Sequence, residues 1–295
     1  MTTQILLDAA RAPNTSRVYY NAMRTFSEFC NARNISVSLP ASSQLLISFI
    51  NFLFENNYSH STVITYLSAI AYEHKIRGFP SPADSFIVQN VLKGFKRIKG
   101  PARDTRCPIT PQLLSEIVNV LPAVCFDVYE STLFTAVFCT TFFAFLRVCE
   151  VTANNQHEMG YALRLSDVLP GDNSIKITIR KSKTDRIGRH TSLVLTRFNN
   201  ENICPVLSLS KYLNVRPKSL TPILFCHQDS SPLTRYQFSS VLKKALSHLA
   251  IQGRFTSHSF RIGAASTAAR NGVPHDQIMQ WGRWSSHAYM SYIRN

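Results

Sequence analysis

The longest apolar stretch of the chain, Ser131 to Leu146 (STLFTAVFCTTFFAFL), sets the first limit on the fold. Hydroxyl side chains dilute it, and Glu130 and Arg147 bound it. A membrane-spanning helix needs about 20 apolar residues. This shorter run predicts a helix buried in a protein core, ending near Cys149, with a globular domain built around it. The first residues, MTTQILLDAARAP, lack the basic start and long apolar run of a secretory signal. The expectation is a soluble, intracellular protein with no membrane partner.

With 295 residues, of which 45% are apolar, the chain can bury a sizeable core. At roughly 100–200 residues per domain, that length suggests two domains. Residues 1–97 read as a small all-α domain. Val18, Met23, Phe26 and Phe29 fall on one face of a first helix, and Leu45, Leu46, Phe49, Ile50, Leu53 and Phe54 mark a second. Val63, Tyr66, Leu67, Ile70 and Ala71 mark a third, with N-caps at Ser59 to Ser61 and a stop at Gly78 and Pro80. A fourth runs from Ser85 to Phe95. The stretch Lys93 to Pro108 (KGFKRIKGPARDTRCP) then reads as a basic linker, centred on residues 98–108.

A second domain, 109–295, opens with Thr110-Pro111, an N-cap followed by proline at the first helical position. Ile175, Ile177 and Ile179 alternate with Lys176, Thr178 and Arg180, which predicts a strand. Ser192 to Leu195 offers its hairpin partner. Residues 205–215, 234–250, 258–271 and 274–282 read as helices. The fold class expected is therefore mainly α with a small β-hairpin or sheet.

Charge narrows the partner. Lys and Arg number 32 against 17 Asp and Glu, a net charge of +15. Such an imbalance favours a polyanion. The linker cations Lys93, Lys96, Arg97, Lys99, Arg103 and Arg106 suit a protein that encircles a duplex. Arg180, Lys181, Arg186 and Arg189 form a basic hairpin tip around Lys183. A solvated hinge and an ordinary soluble hairpin are the plainer readings of both. The seven cysteines contain no C-x-x-C pair, and only Cys226-His227 sets two possible ligands side by side. No structural zinc, other metal or cofactor is expected, and free thiols fit a reducing compartment.

Four separate signals carry chemistry. His258 and Arg261 share a helical face near a helix N-terminus, an end that attracts phosphate. Arg147 closes the apolar run and has Glu150 within ion-pairing reach. Paired with that carboxylate, it is either structural or an oriented phosphate fork. Lys183 in the hairpin turn is an exposed residue or a general acid. Tyr289 and Tyr292, three apart, are core aromatics or a nucleophile.

The order Arg147, Lys183, His258-x-x-Arg261 and a late tyrosine resembles the tyrosine recombinase, or phage integrase, family. LRVCEV is similar to that family's first arginine motif, SKTD to its hairpin lysine motif, HSFRIGAA to its His-Arg box, and WGRWSS…YMSYIR to its nucleophile box. The last box most resembles recombinases of eukaryotic mobile elements, DIRS-like or Crypton-like. The resemblance implies an all-α core-binding domain and an α+β catalytic domain. Its implied catalytic residues are Arg147, Lys183, His258, Arg261, Trp284 and Tyr292, with Glu150 and Arg283 in support. Tyr292 lies 31 residues after Arg261 and ten after Gly282, spacings similar to the family's, and Tyr289 is left to packing. Arg283 holds the place that aligns with the family's His or Trp. Either it or Trp284 can donate to a phosphate, and Trp284 is preferred.

The same resemblance implies double-stranded DNA as partner, a homo-oligomer (a tetramer on paired sites), and a nuclear location if the source is eukaryotic, otherwise cytoplasmic. Relatives continue past the tyrosine into a helix that docks on a neighbouring protomer, whereas this sequence ends three residues after Tyr292. Two other readings stand beside an active recombinase. One is a domesticated DNA-binding protein that keeps the fold without recombining. The other is an RNA-binding or other basic scaffold.

Overall fold

The structure, a computed structural model, describes residues 2–36, 38–100, 104–154, 160–180, 190–218 and 221–294. The chain divides into two compact units, Met1–Arg103 and Asp104–Asn295.

The first unit is helical: α1 (Thr2–Ala9), α2 (Pro13–Asn31), α3 (Ser43–Glu55), α4 (His60–Ile76) and α5 (Phe86–Lys99). Local sequence sets their starts. The Ser42 hydroxyl accepts from the Leu45 amide at 3.1 Å, and that of Ser59 from the Thr62 amide at 3.2 Å. Phe26, Phe29 and Phe49 meet ring to ring at the centre, with Leu46, Leu53, Leu67 and Leu92 around them. His74 is fully buried. Its Nε2 accepts from the Ala41 amide at 2.8 Å, so Nδ1 carries the proton and donates to the Ile70 carbonyl at 2.7 Å. Helix α5 extends to Lys99, beyond the stop expected near Phe95. Lys93, Lys96, Arg97 and Lys99 are therefore exposed helical residues rather than linker.

The second unit holds α6 (Pro111–Val124), α7 (Val128–Phe143), α8 (Val148–Val151), α9 (Pro205–Val215), α10 (Arg235–His248), α11 (His258–Arg270) and α12 (His275–Gly282). Between α8 and α9 lies an antiparallel sheet, β1 (Val168–Pro170), β2 (Ser174–Ile179) and β3 (Thr191–Thr196), in that order. Ile175, Ile177 and Ile179 point into the core from β2, and Ile175 and Ile177 pair with Leu195 and Leu193 of β3. Strand β1 has three residues, too few for alternation to reveal it. Among the described residues no helix is long and apolar enough to cross a membrane.

The apolar run is the buried centre. Phe134, Phe138 and Phe142 of α7 pack among α6, α9 and α11, and each such burial is worth about 1.5–3 kcal/mol. The helix does not reach Cys149 as expected. It ends at Phe143, where the Phe145 amide bonds the Phe142 carbonyl at 3.2 Å and the Leu146 amide the Thr141 carbonyl at 3.0 Å. That paired closure puts one residue in the left-handed region, usually glycine, and here it is Phe145 at φ +50°. The turn leaves Arg147 as the residue that begins α8 rather than the end of a long helix.

Helix α11 crosses close to the segment preceding α6. A Cβ on Gly263 would sit 1.7 Å from the Ile109 carbonyl oxygen, a backbone atom that cannot swing aside. Ordinarily Ala in a helix is about 1 kcal/mol better than Gly. Gly263→Ala should instead lower stability by about 2 kcal/mol or more, read as a shift in denaturant midpoint of the second unit's transition. An unchanged or raised midpoint would contradict the close approach.

Candidate active site

Two arginines bond one buried carboxylate, and a third lies beside them. Glu150 is completely buried. Its Oε1 pairs with Arg147 Nη1 at 3.2 Å, and its Oε2 accepts from the Arg147 amide at 2.8 Å and from Arg283 Nη2 at 2.7 Å. Arg261 lies alongside with 1% of its surface exposed. One of its terminal nitrogens donates to the Phe145 carbonyl and the other to the Gly282 carbonyl at 2.8 Å. Arg283 also donates to the Phe145 carbonyl, at 3.2 Å, and to that of Trp281 at 3.2 Å. The left-handed turn at Phe145 thus aims one carbonyl at two guanidinium groups. Burial first, then Arg147 and Arg283, hold the Arg261 pKa down to about 9, which still leaves it charged at pH 7. Burial likewise lowers that of Arg283, with Glu150 opposing.

Aromatic rings cover this cluster. The Arg261 guanidinium lies 4.4 Å from the Trp284 ring centre and 5.9 Å from that of Tyr292. Trp284 and Tyr292 are 5.2 Å apart, and His258 is 6.4 Å from Tyr292. Trp284 reaches this place because Gly282 has no side chain: a Cβ there would lie 1.6 Å from the indole. Tyr292 ends a 3-10 helix, His287–Tyr292. Tyr289 of the same helix is buried, 1% exposed, with its hydroxyl 2.7 Å from His275 Nδ1.

His258 begins α11 with its amide bonded to the Thr256 hydroxyl at 3.2 Å. Burial lowers its pKa most, followed by the charges of Arg106, Arg261, Arg235 and Arg147, to about 4. Its imidazole is therefore neutral at pH 7. Arg235, at the start of α10, also acts on His258, and nothing in residue order sets the two together. The shared field of four cations reveals it only in three dimensions.

Of the residues singled out from sequence, Arg147, Glu150, His258, Arg261, Arg283, Trp284 and Tyr292 come together. Arg283 turns inward to Glu150 while Trp284 faces Arg261 and Tyr292. Lys183, Lys181, Arg186, Arg189 and Arg103 lie outside the described residues. Arg180 is ion-paired with Asp167 and donates to the Ser166 hydroxyl at 3.0 Å. Lys99 bonds the Asn57 side chain at 2.9 Å. Arg106 is paired with Asp104. A groove of about 850 Å³ between β3, α11 and α12 contains neither His258 nor Tyr292.

Residues 160–294 match the phage integrase family. Arg147 and Glu150 precede that segment, and Glu150 is bonded to Arg283 within it. The chain is 23% identical to an integrase/recombinase XerD homolog of Selenomonas ruminantium, over 95% of this chain and 81% of that protein. Its fold is similar to that of the XerH site-specific recombinase in a post-cleavage complex with difH DNA, with a TM-score of 0.70 and 15% identity over 94% of this chain and 75% of that one. It is also similar to the Tn1549 transposon integrase in complex with circular intermediate DNA (TM-score 0.64, 14% identity, 100% and 94% covered). A lambda integrase dimer bound to a core site gives 0.66 at 12% identity, with 99% and 74% covered. The mainly helical fold with its small antiparallel sheet is thus similar to that of these recombinases.

The low His258 pKa has a testable sign. The unfolded chain, near 6.5, takes up this proton before the folded one does. His258 thus costs no stability above pH 6.5 and an increasing amount as the pH falls toward 4. By NMR its imidazole should titrate near pH 4, and Arg106→Ala should move the midpoint up toward 6.5. A wild-type midpoint at 6.5 would contradict the buried cationic setting.

Proposed function

We propose that this protein is a tyrosine recombinase that cuts and rejoins double-stranded DNA through a 3′-phosphotyrosine intermediate. The observation that carries the reading is the gathering of Arg147, Arg261, His258, Trp284 and Tyr292 on one cationic site in which, among the described residues, Glu150 is the carboxylate bonded to Arg147 and Arg283. Three guanidinium groups against one carboxylate leave a net charge of +2, which calls for an anion (3 − 1). The match to the integrase family and the likeness to DNA-bound recombinases agree with that chemistry.

In this reading Arg147 and Arg261 grip the non-bridging oxygens of the scissile phosphate and offset the charge that grows at the phosphorane-like transition state. Trp284 donates its indole N–H to the same group. The Tyr292 oxygen bonds to phosphorus as the bond from phosphorus to the 5′-oxygen breaks. The bound phosphate offsets the cations that disfavour a charged His258, so the phenol's proton passes to its imidazole, and Lys183 protonates the leaving oxygen. Attack by the 5′-hydroxyl of a partner strand reverses these steps and restores a phosphodiester without external energy. Glu150 and Arg283 orient the arginines. Lys93, Lys96, Arg97 and Arg106, with the cations of the hairpin, contact backbone phosphates. The working form is a tetramer on paired sites, the chain originates in a mobile element, and it acts in the nucleus if the host is eukaryotic.

A nicked DNA site, first selected from a random pool, should trap a covalent adduct visible on a denaturing gel. Tyr292→Phe should abolish the adduct with DNA affinity nearly unchanged, and Tyr289→Phe should retain it. No adduct on a site that the protein binds would favour a DNA-binding protein without recombination.

Binding should also weaken steeply with salt. Each neutralised phosphate contributes about −0.9 to the slope of log K against log salt. A slope shallower than about −2 would contradict a protein that tracks a duplex backbone.

A further inference from the structure

The strand-like segment that opens the second unit is tied to the residues just after Tyr292. The Asp104 carboxylate is gripped at both oxygens by Arg106, Nε to Oδ1 at 2.8 Å and Nη2 to Oδ2 at 2.8 Å. The Arg106 amide adds a third bond to Oδ1 at 3.1 Å. Oδ2 also takes Arg294 Nη2 at 2.7 Å. Arg294 in turn gives its backbone N–H to the Ser266 hydroxyl at 2.8 Å, and that hydroxyl donates to the Tyr292 carbonyl at 3.2 Å. Ser266 is buried on α11, the helix that also carries His258 and Arg261.

The segment itself is anchored. The Cys107 amide bonds the Arg254 carbonyl at 2.9 Å, and the Ile109 amide bonds the Ser259 carbonyl at 3.0 Å. One carboxylate therefore joins a fixed strand to the tyrosine-bearing end of the chain through two arginines. The three side chains are only 24–30% exposed, and the Arg106 contact is bidentate. That geometry separates this set from ordinary surface pairs. Arg106 also lies close enough to His258 to add to the burial that depresses its pKa, and the pKa of Arg106 is raised chiefly by its hydrogen bond to Asp104 and also by Tyr292, so the segment borders the reacting groups.

We propose that Asp104 is a positioning residue for Tyr292: through Arg294 it holds the tyrosine segment against α11. Asp104 is the first residue of the second unit. The assignment of Tyr292 as nucleophile rests on the recombinase reading. The link between Asp104 and the tyrosine segment does not.

Asp104→Asn keeps the shape and removes the charge. In single turnover on saturating nicked DNA, it should slow adduct formation at least tenfold. DNA affinity should hold or tighten, because a negative charge has left a DNA-facing site. Arg294→Gln should act alike, and the double variant should be no slower than the slower single one, since both break the same pair. In free protein, Asp104→Asn should speed hydrogen exchange at the Arg294 amide at least tenfold. A rate within twofold of wild type, a loss of DNA affinity in step with the rate, or unchanged exchange would each overturn the proposal. Absence of any adduct in the wild-type protein would instead overturn the recombinase reading, and exchange alone would then decide the role of Asp104.

Discussion

The second unit is organised around a carboxylate that has no exposure to water. Burying one ion costs several kcal/mol, and burying several guanidinium groups together costs more, because they repel. Glu150 makes the cluster tolerable by bonding Arg147 and Arg283 at once. Backbone carbonyls at Phe145, Trp281 and Gly282 take part of the remaining demand. The compensation is incomplete, and Arg283 Nε has no partner among the described residues. A site left with surplus positive charge in low-dielectric surroundings is preorganised for an anion, and most strongly for one whose charge grows during reaction.

The turn after α7 delivers this arrangement. Phe145 at φ +50° is a bulky residue in a region that favours glycine, a strain of about 1–3 kcal/mol. Its aromatic ring packs near Trp281 and Trp284, while its carbonyl serves both Arg261 and Arg283. Glycine would relax the backbone and lose the ring. The strain thus sits where it joins the buried helix, the arginine cluster and the aromatic cover. The His258 pKa follows from the same crowding, since burial and four arginines together keep the imidazole neutral.

Much of this was legible from residue order. Apolar alternation at Ile175, Ile177 and Ile179 marks β2, and the i, i+3 pair His258 and Arg261 marks one face of α11. The pairing of Arg147 with Glu150 follows from spacing and from the cost of an unpaired buried charge. What escaped was set by tertiary structure. A continuous apolar run cannot show that α7 stops at Phe143, because the closing hydrogen bonds use backbone groups and a residue type unusual for that turn. Arg283 and Trp284 are adjacent, and only the left-handed backbone at Arg283 (φ +54°) decides that one faces Glu150 and the other Tyr292. The cations at 93–99 read as linker because charge density masks a helix that continues to Lys99. Asp104 is the single acid of the basic stretch Lys93–Pro108, and its partner Arg294 is 190 residues away.

The proposed recombinase reaction turns on which oxygen bonds to phosphorus. Protein trapped on a nicked site, digested with nuclease and protease, can be read by mass spectrometry for a residue that retains a nucleotide. The structure predicts that the nucleotide is attached to Tyr292. Attachment to Tyr289, or to a tyrosine remote from Arg261, would contradict the site described.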